Sequence, residues 1–211
     1  MRRIAVGIAG GSGSGKSTLG EKLLELEPDI FTLIQLDDYF RKPEQVPTLA
    51  GRLNMDHPDA INFDKFTHDL AELKAGRSVT LLTRNQKFSP LYNETKIKAR
   101  LEQRPSPIIL AEGFLILYDS RVRALLDKSI WLDASAELRW ERRVGRKKRH
   151  FPDDDYHEKV LRPMHQEFAE PTRKYADKIL DAGRLDEHDI LKEIEEWFRP
   201  YLISGEFRKF R

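Results

Sequence analysis

The chain has 211 residues, 34% of them charged, yet its 37 Lys and Arg nearly balance 35 Asp and Glu, for a formal net charge of +2. That length suits one α/β domain with a core of useful size, and the charge balance argues against a general nucleic-acid binder, whose footprint is a large basic excess. The absence of cysteine excludes disulfides and thiolate metal sites and fits a reducing compartment. No apolar run approaches membrane-spanning length, and Met1-Arg2-Arg3 leads directly into an apolar strand, so neither a membrane span nor a cleavable signal is expected and a cytoplasmic location is.

In chain order, Ile4-Ala5-Val6-Gly7-Ile8 reads as a strand entering a glycine-rich turn that spells G-x-x-x-x-G-K-[ST] as Gly10, Gly15, Lys16 and Ser17. This is the pattern of a phosphate-binding loop: successive backbone N–H groups curl around an anion where side chains are small, and the following helix points its dipole at the same phosphates. Gly11, Ser12, Gly13, Ser14, Gly15, Lys16, Ser17 and Thr18 are the candidate ATP-binding residues. Lys16 would reach the β- and γ-phosphates, and the Ser17 hydroxyl would face Mg²⁺.

A helix is predicted from Lys16 to about Glu27, and a buried strand over Ile30 to Leu36 that runs straight into Asp37-Asp38-Tyr39-Phe40. Ligands of an open parallel sheet bind beyond the carboxyl ends of its strands, which puts Asp37 and Asp38 at the rim of the phosphate loop. Arg41 to Pro58 reads as a long loop, followed by a helix capped by Asn62 or Asp64 and running through about Lys74. Val79 to Leu82 and Leu91 to Ile97 are expected to pair as a hairpin around Asn85-Gln86-Lys87.

Pro107 to Ala111 is a third strand of the rim, closed by Glu112-Gly113, where a carboxylate is placed to hold Mg²⁺ through water. Ser120 to Leu126 is a short helix behind Asp119, Ile130 to Asp133 a fourth strand, and Ala134 to Arg146 a helix. The helix runs into Lys147, Lys148 and Arg149, and then into the acidic turn Pro152-Asp153-Asp154-Asp155. Because the charge reverses so soon, a lid that closes arginines over a nucleotide fits better than a nucleic-acid stripe. A helix from Tyr156 to Glu170, a last strand Lys178 to Leu180 and a helix from Asp186 to Tyr201 complete the chain. Strands alternating with helices predict an α/β phosphate-loop fold with a five-stranded parallel sheet covered on both faces. The guanine-reading N-K-x-D and the protein-kinase H-R-D and D-F-G are absent from the sequence, which leaves a small-molecule kinase.

Four blocks resemble the uridine kinase family, within the wider group that includes phosphoribulokinase, pantothenate kinase and nicotinamide riboside kinase: GIAGGSGSGKST (7–18), LDDYF (36–40), MDHPDAINFD (55–64) and PMHQEFAEPTRKYADKIL (163–180). The resemblance implies one kinase domain over residues 1–211, with an acceptor-binding insert at about 41–98 and a lid at about 146–156. It implies ATP and Mg²⁺ as cofactors and phosphoryl transfer to the 5′-hydroxyl of a ribonucleoside, uridine or cytidine, in nucleoside salvage. By the same resemblance Asp37 is the base toward that hydroxyl and a metal contact. Asp56 binds the ribose hydroxyls, Glu112 stands near the metal with Ser17, and Lys16, Arg143 and Arg146 serve the phosphates. Tyr39, His57 and Tyr92 join Asp37, Asp56 and Arg143 as acceptor-facing residues. The sequence departs from the uridine kinase pattern at Pro90-Leu91-Tyr92-Asn93-Glu94, which stands where that family has P-x-Y-D-F followed by His-x-Arg. The short lid with Pro152, Asp153 and Tyr156 is closer to nicotinamide riboside kinases. Alternatives are nicotinamide riboside or another ribosyl or alcohol acceptor, a nucleotide-binding regulator without catalysis, and a nucleic-acid binder using 142–149. The expected partner is a small molecule, with neither nucleic acid nor membrane, and homo-oligomerisation is left open.

Overall fold

A computed structural model describes residues 3–146 and 154–202, with the backbone alone at 146, 154, 187 and 199–202. Its centre is a sheet of five parallel strands in the order β2-β7-β1-β8-β9: β1 (Ile4–Ala9), β2 (Phe31–Gln35), β7 (Ile108–Glu112), β8 (Lys128–Asp133) and β9 (Lys178–Asp181). β1 lies between β7 and β8, with Ile8 opposite Glu112 on one side and Ile130 on the other. Parallel strands need crossovers that cover both faces, so their sequences are apolar in both phases of the pleat. Ala5, Ile34, Ile109 and Trp131 point to one core, and Val6, Leu33, Ile108 and Ile130 to the other.

The first core is closed by α2 (Phe63–Lys74), which brings Phe66, Leu70 and Leu73 onto the sheet, and by the short α4 (Ser120–Leu125). Asn62 caps α2 by accepting from the Lys65 N–H at 3.1 Å, and Asp119 caps α4. The second core is closed by α1 (Lys16–Leu26), through Leu19 and Leu23, and by the C-terminal α6 (Glu187–Leu202), through Ile194 and Phe198. The predicted strand and helix positions hold to within a few residues. No helix among the described residues is long and apolar enough to cross a membrane.

The segment between α2 and β7 departs from the expected hairpin. β5 (Val79–Thr83) pairs antiparallel with β6 (Ala99–Gln103), while Tyr92–Thr95 forms a single helical turn, α3. Packing decides the partner. Leu101 of β6 lies opposite Leu81 and packs on the first core, whereas Leu91 and Ile97 are 60% and 69% exposed. The long loop after β2 contains a small hairpin of its own, β3 (Thr48–Leu49) with β4 (Arg52–Leu53). Its two turn residues, Ala50 and Gly51, both have positive φ, as a tight hairpin turn requires.

Candidate active site

The phosphate loop runs from Gly10 to Gly15 between β1 and α1, and Lys16, Ser17 and Thr18 open the helix. Gly13 has φ +90°, and a Cβ there would lie 2.4 Å from the Arg139 carbonyl oxygen, so neither backbone nor space admits a side chain. Arg139 belongs to α5 (Ala136–Arg146), which leans on the loop along its length. The same helix sends Arg142 to the Ala182 carbonyl at 2.7 Å and Arg143 to Ser12 Oγ at 2.7 Å. Lys16, nearly buried, donates to the Gly11 carbonyl at 3.0 Å, folded back across the loop. Thr18 is exposed on the first turn of α1.

At the end of β7, Glu112 is buried and accepts from Ser17 Oγ and from Gln35 Nε2, each at 2.9 Å and both on Oε1. Burial pushes its carboxyl up; the Lys16 charge opposes this and the Asp37 charge adds to it. Gln35 continues the chain by accepting from Asn85 Nδ2 at 2.7 Å. Hydroxyl and carboxylate oxygens without a soft donor are the ligand set a hard divalent cation takes.

Beside this lies a cleft of about 400 Å³ lined by Ser12, Asp37, Asp56 and Arg143. These candidate site residues come from four separate segments. Asp37 sits in the one-turn helix Leu36–Tyr39 that follows β2, and Asp56 in the turn before Pro58–Ala60. Asp56 is half-buried, and burial raises its carboxyl against the bond donated by Tyr156 Oη at 2.7 Å and the nearby Arg143 charge. Phe40 and Phe114 form an aromatic wall, with ring centroids 6.4 Å apart and planes 28° from parallel.

Tyr39, His57 and Tyr92 make contacts of their own. Tyr39 is turned into the first core, where its hydroxyl donates to Asp69 at 2.8 Å and its ring meets the edge of Phe66. His57 caps the turn Pro58–Ala60 through Nδ1 and packs on Phe168. Tyr92 opens the turn α3, with the Lys96 ammonium 5.7 Å from its ring centre. The Arg146 side chain and most of the lid, Lys147 to Asp153, lie outside the described residues.

Sequence reasoning missed Arg84, which lines the cleft and forms an ion pair with Asp37. It also passed over Arg139, whose guanidinium crowds Gly11 and lies 2.6 Å from His165 Nε2. Arg139 was within reach: Arg139, Arg142, Arg143 and Arg146 recur in the sequence at helical spacing. Arg84 had no such signal, because its place depends on the register of β5.

A parallel sheet with a glycine-rich loop at the carboxyl end of its central strand, a lysine folded over that loop and carboxylates at the neighbouring strand ends define a phosphate-loop phosphotransferase. Comparison with known proteins gives the family. Residues 5–189 match the model of the phosphoribulokinase / uridine kinase family, and the chain belongs to it. It is 36% identical over 191 residues to a uridine kinase of Clostridium novyi, covering 87% of this chain and 89% of that one. A probable uridine-cytidine kinase of Caenorhabditis elegans is 31% identical over 232 residues, covering 96% and 88%. The solved structure of a possible uridine kinase from Bacillus stearothermophilus shares the fold, with a TM-score of 0.57 at 21% identity over 86% of this chain and 90% of that one. The chain is thus a kinase, a phosphotransferase acting on a hydroxyl group, of a family that uses ATP.

Proposed function

We propose that this kinase transfers the γ-phosphoryl group of ATP to the 5′-hydroxyl of a ribonucleoside, with uridine and cytidine as acceptors. The observation that carries the reading is the cleft itself, where Asp37, Asp56 and the Ser12 edge of the phosphate loop face one space beside Phe40 and Phe114. A nucleoside placed there sets its base against the aromatic wall. Its 2′- and 3′-hydroxyls donate to Asp56, whose orientation Tyr156 holds, and its 5′-hydroxyl reaches Asp37 at the end nearest the loop. The names of the curated relatives support the same acceptor class.

Asp37 accepts the hydroxyl hydrogen bond and aligns the oxygen for in-line attack. Because a carboxylate is a weak base for an alcohol, this alignment is its main contribution, with the proton passing to it as the new P–O bond forms and the bond from the γ-phosphorus to the departing ADP oxygen breaks. Lys16 and Arg143 stand where negative charge gathers on the transferred group. Mg²⁺, held by Ser17 Oγ and through water by Asp37 and Glu112, would neutralise the phosphates. The bonds from Ser17 Oγ and Gln35 Nε2 to Glu112 Oε1 hold that carboxylate beside the Ser17 hydroxyl.

A second reading, nicotinamide riboside as acceptor, draws on Tyr156, which belongs to the lid segment that resembles those kinases and is bonded to Asp56. The test is ADP release from Mg-ATP with uridine, cytidine, adenosine, guanosine and nicotinamide riboside, with Asp37→Asn as blank. Uridine and cytidine are expected to turn over, and Asp37→Asn to reduce kcat by about a hundredfold or more. Turnover confined to nicotinamide riboside moves the assignment to the second reading, and near-normal turnover by Asp37→Asn removes that residue from the mechanism.

A further inference from the structure

Asp37 shares its surroundings with two other acids. Burial is the main reason the Asp56 and Glu112 carboxyls hold their protons more tightly than usual, and the charge of Asp37 adds to the effect at both. Acids so placed repel one another, and a bonded cation fixes the direction of the one it holds. Arg84 supplies that cation. Its Nη2 donates to Asp37 Oδ2, and the two side chains are 34% and 38% exposed, at the wall of the cleft.

The guanidinium is itself constrained from several sides. Its central carbon lies 5.2 Å from the Phe40 ring centre, so the planar group rests on the aromatic wall. The Arg84 N–H donates to Asp38 Oδ1 at 2.8 Å, and Lys98, which precedes β6, donates to the Asp38 carbonyl at 3.3 Å. The next residue, Asn85, binds Gln35, the partner of Glu112, and Glu21 of α1 at 2.9 Å. The corner Arg84-Asn85 therefore joins the β5-β6 hairpin to both the acceptor carboxylate and the hydrogen-bond chain that ends at Ser17.

We infer that Arg84 is a positioning residue for phosphoryl transfer: it holds Asp37 by Oδ2, leaves Oδ1 to the acceptor hydroxyl, and couples the hairpin to the phosphate site. The inference rests on the kinase reading of the cleft. A positioning role predicts a loss in kcat, since a carboxylate misplaced by about 1 Å costs roughly a hundredfold. ATP binding is spared, because the bonds of Arg84 go to Asp37 and Asp38. Lysine keeps the charge without the planar fork and should restore only part of the rate.

The experiment is steady-state kinetics on the full chain, comparing wild type, Arg84→Ala and Arg84→Lys, with ATP and acceptor varied separately and the melting temperature of each protein recorded. Arg84→Ala is expected to lose about thirty- to a hundredfold in kcat, with the KM for ATP and the melting temperature little changed. Arg84→Lys and added guanidinium ion should each recover part of the loss. A kcat in Arg84→Ala within about twofold of wild type overturns the inference. So does a loss shared by kcat, ATP affinity and melting temperature that neither lysine nor guanidinium relieves, which would mark Arg84 as structural. Wild type idle with every nucleoside counts against the substrate reading alone. Arg84 is then judged on the slow release of ADP without acceptor, where water stands beside Asp37 and an unchanged rate in Arg84→Ala again overturns the inference.

Discussion

Asp56 has two neighbours that fix what it can do. Tyr156 occupies Oδ2 and Arg143 contributes a positive charge nearby, so the carboxylate is held with acceptor capacity left for a ligand. One ionised carboxylate can accept from both hydroxyls of a ribose. Asp56→Ala should therefore raise the KM of the acceptor at least tenfold, about the 1.5–3 kcal/mol of a hydrogen bond to a charged group, while the KM for ATP moves little. Tyr156→Phe should shift the acceptor KM in the same direction by less. Initial rates with each substrate varied in turn give both numbers, and equal effects on ATP and acceptor would remove Asp56 from ribose binding. Asp56 was legible because it stands in a block with family resemblance; Tyr156 was singled out only as part of the lid, since its contact spans 100 residues of sequence.

At the scale of elements, the stretch from Asp154 to Tyr175 meets the segment around Asp56, through Tyr156 and Phe168, and α5, through His165. It winds through α, π and 3₁₀ geometry, with π turns at His157–Leu161 and His165–Ala169. His165, in the second π turn, meets Arg139 on one side, and Glu170 Oε2 lies 3.1 Å from its Nε2. Burial first, then the charges of Arg139 and Lys16, push its pKa down from 6.5 to about 3, with Asp133 acting in the opposite direction. Between these values the unfolded chain binds the extra proton and the folded chain does not, so the contribution of this residue to stability falls as pH drops. From pH 6.5 to 5 wild type should lose about 1.5 kcal/mol more than His165→Gln, read from urea unfolding at both pH values. Equal losses would mean that His165 takes up its proton without cost to the fold.

The main strands and helices were legible because each announces itself within a dozen residues, by apolar period, cap and breaker. The hairpin was half legible. β5 shows its alternation, but its partner lies beyond a helical turn ended by Lys96 at φ +59°, and nothing local marks Ala99–Gln103 as the strand that closes it.

For the molecule as a whole, two cores back the same sheet, and each holds one part of the site. The first positions Tyr39, Phe66 and the turn that carries Asp37; the second anchors α1 behind the phosphate loop. Phe198, at the far end of the chain, is 2% exposed and sits with its ring 6.3 Å from that of Phe31 in β2. Phe198→Ala should cost about 3–5 kcal/mol, visible as a lower urea midpoint, while the folded fraction keeps its affinity for ATP. An unchanged midpoint would show that α6 contributes little to the domain.

What the sequence determined by itself is what contiguous residues encode. The phosphate loop is a run of backbone conformations that only its glycines allow, and the parallel sheet follows from apolar strands separated by helices. Asp37 and Glu112 could be placed at the rim because each lies directly after or at the end of such a strand. The tertiary structure decided the walls of the cleft: Phe114 opposite Phe40, Tyr156 on Asp56, Arg84 on Asp37. It also turned Tyr39, the neighbour of Asp38, into the core. Those pairings join residues 47 to 100 positions apart, and they depend on strand register and on which face of a turn meets the core. In the one-turn helix after β2, residues three apart share a face, so Leu36 and Tyr39 turn to the core and Asp37 is left to the cleft.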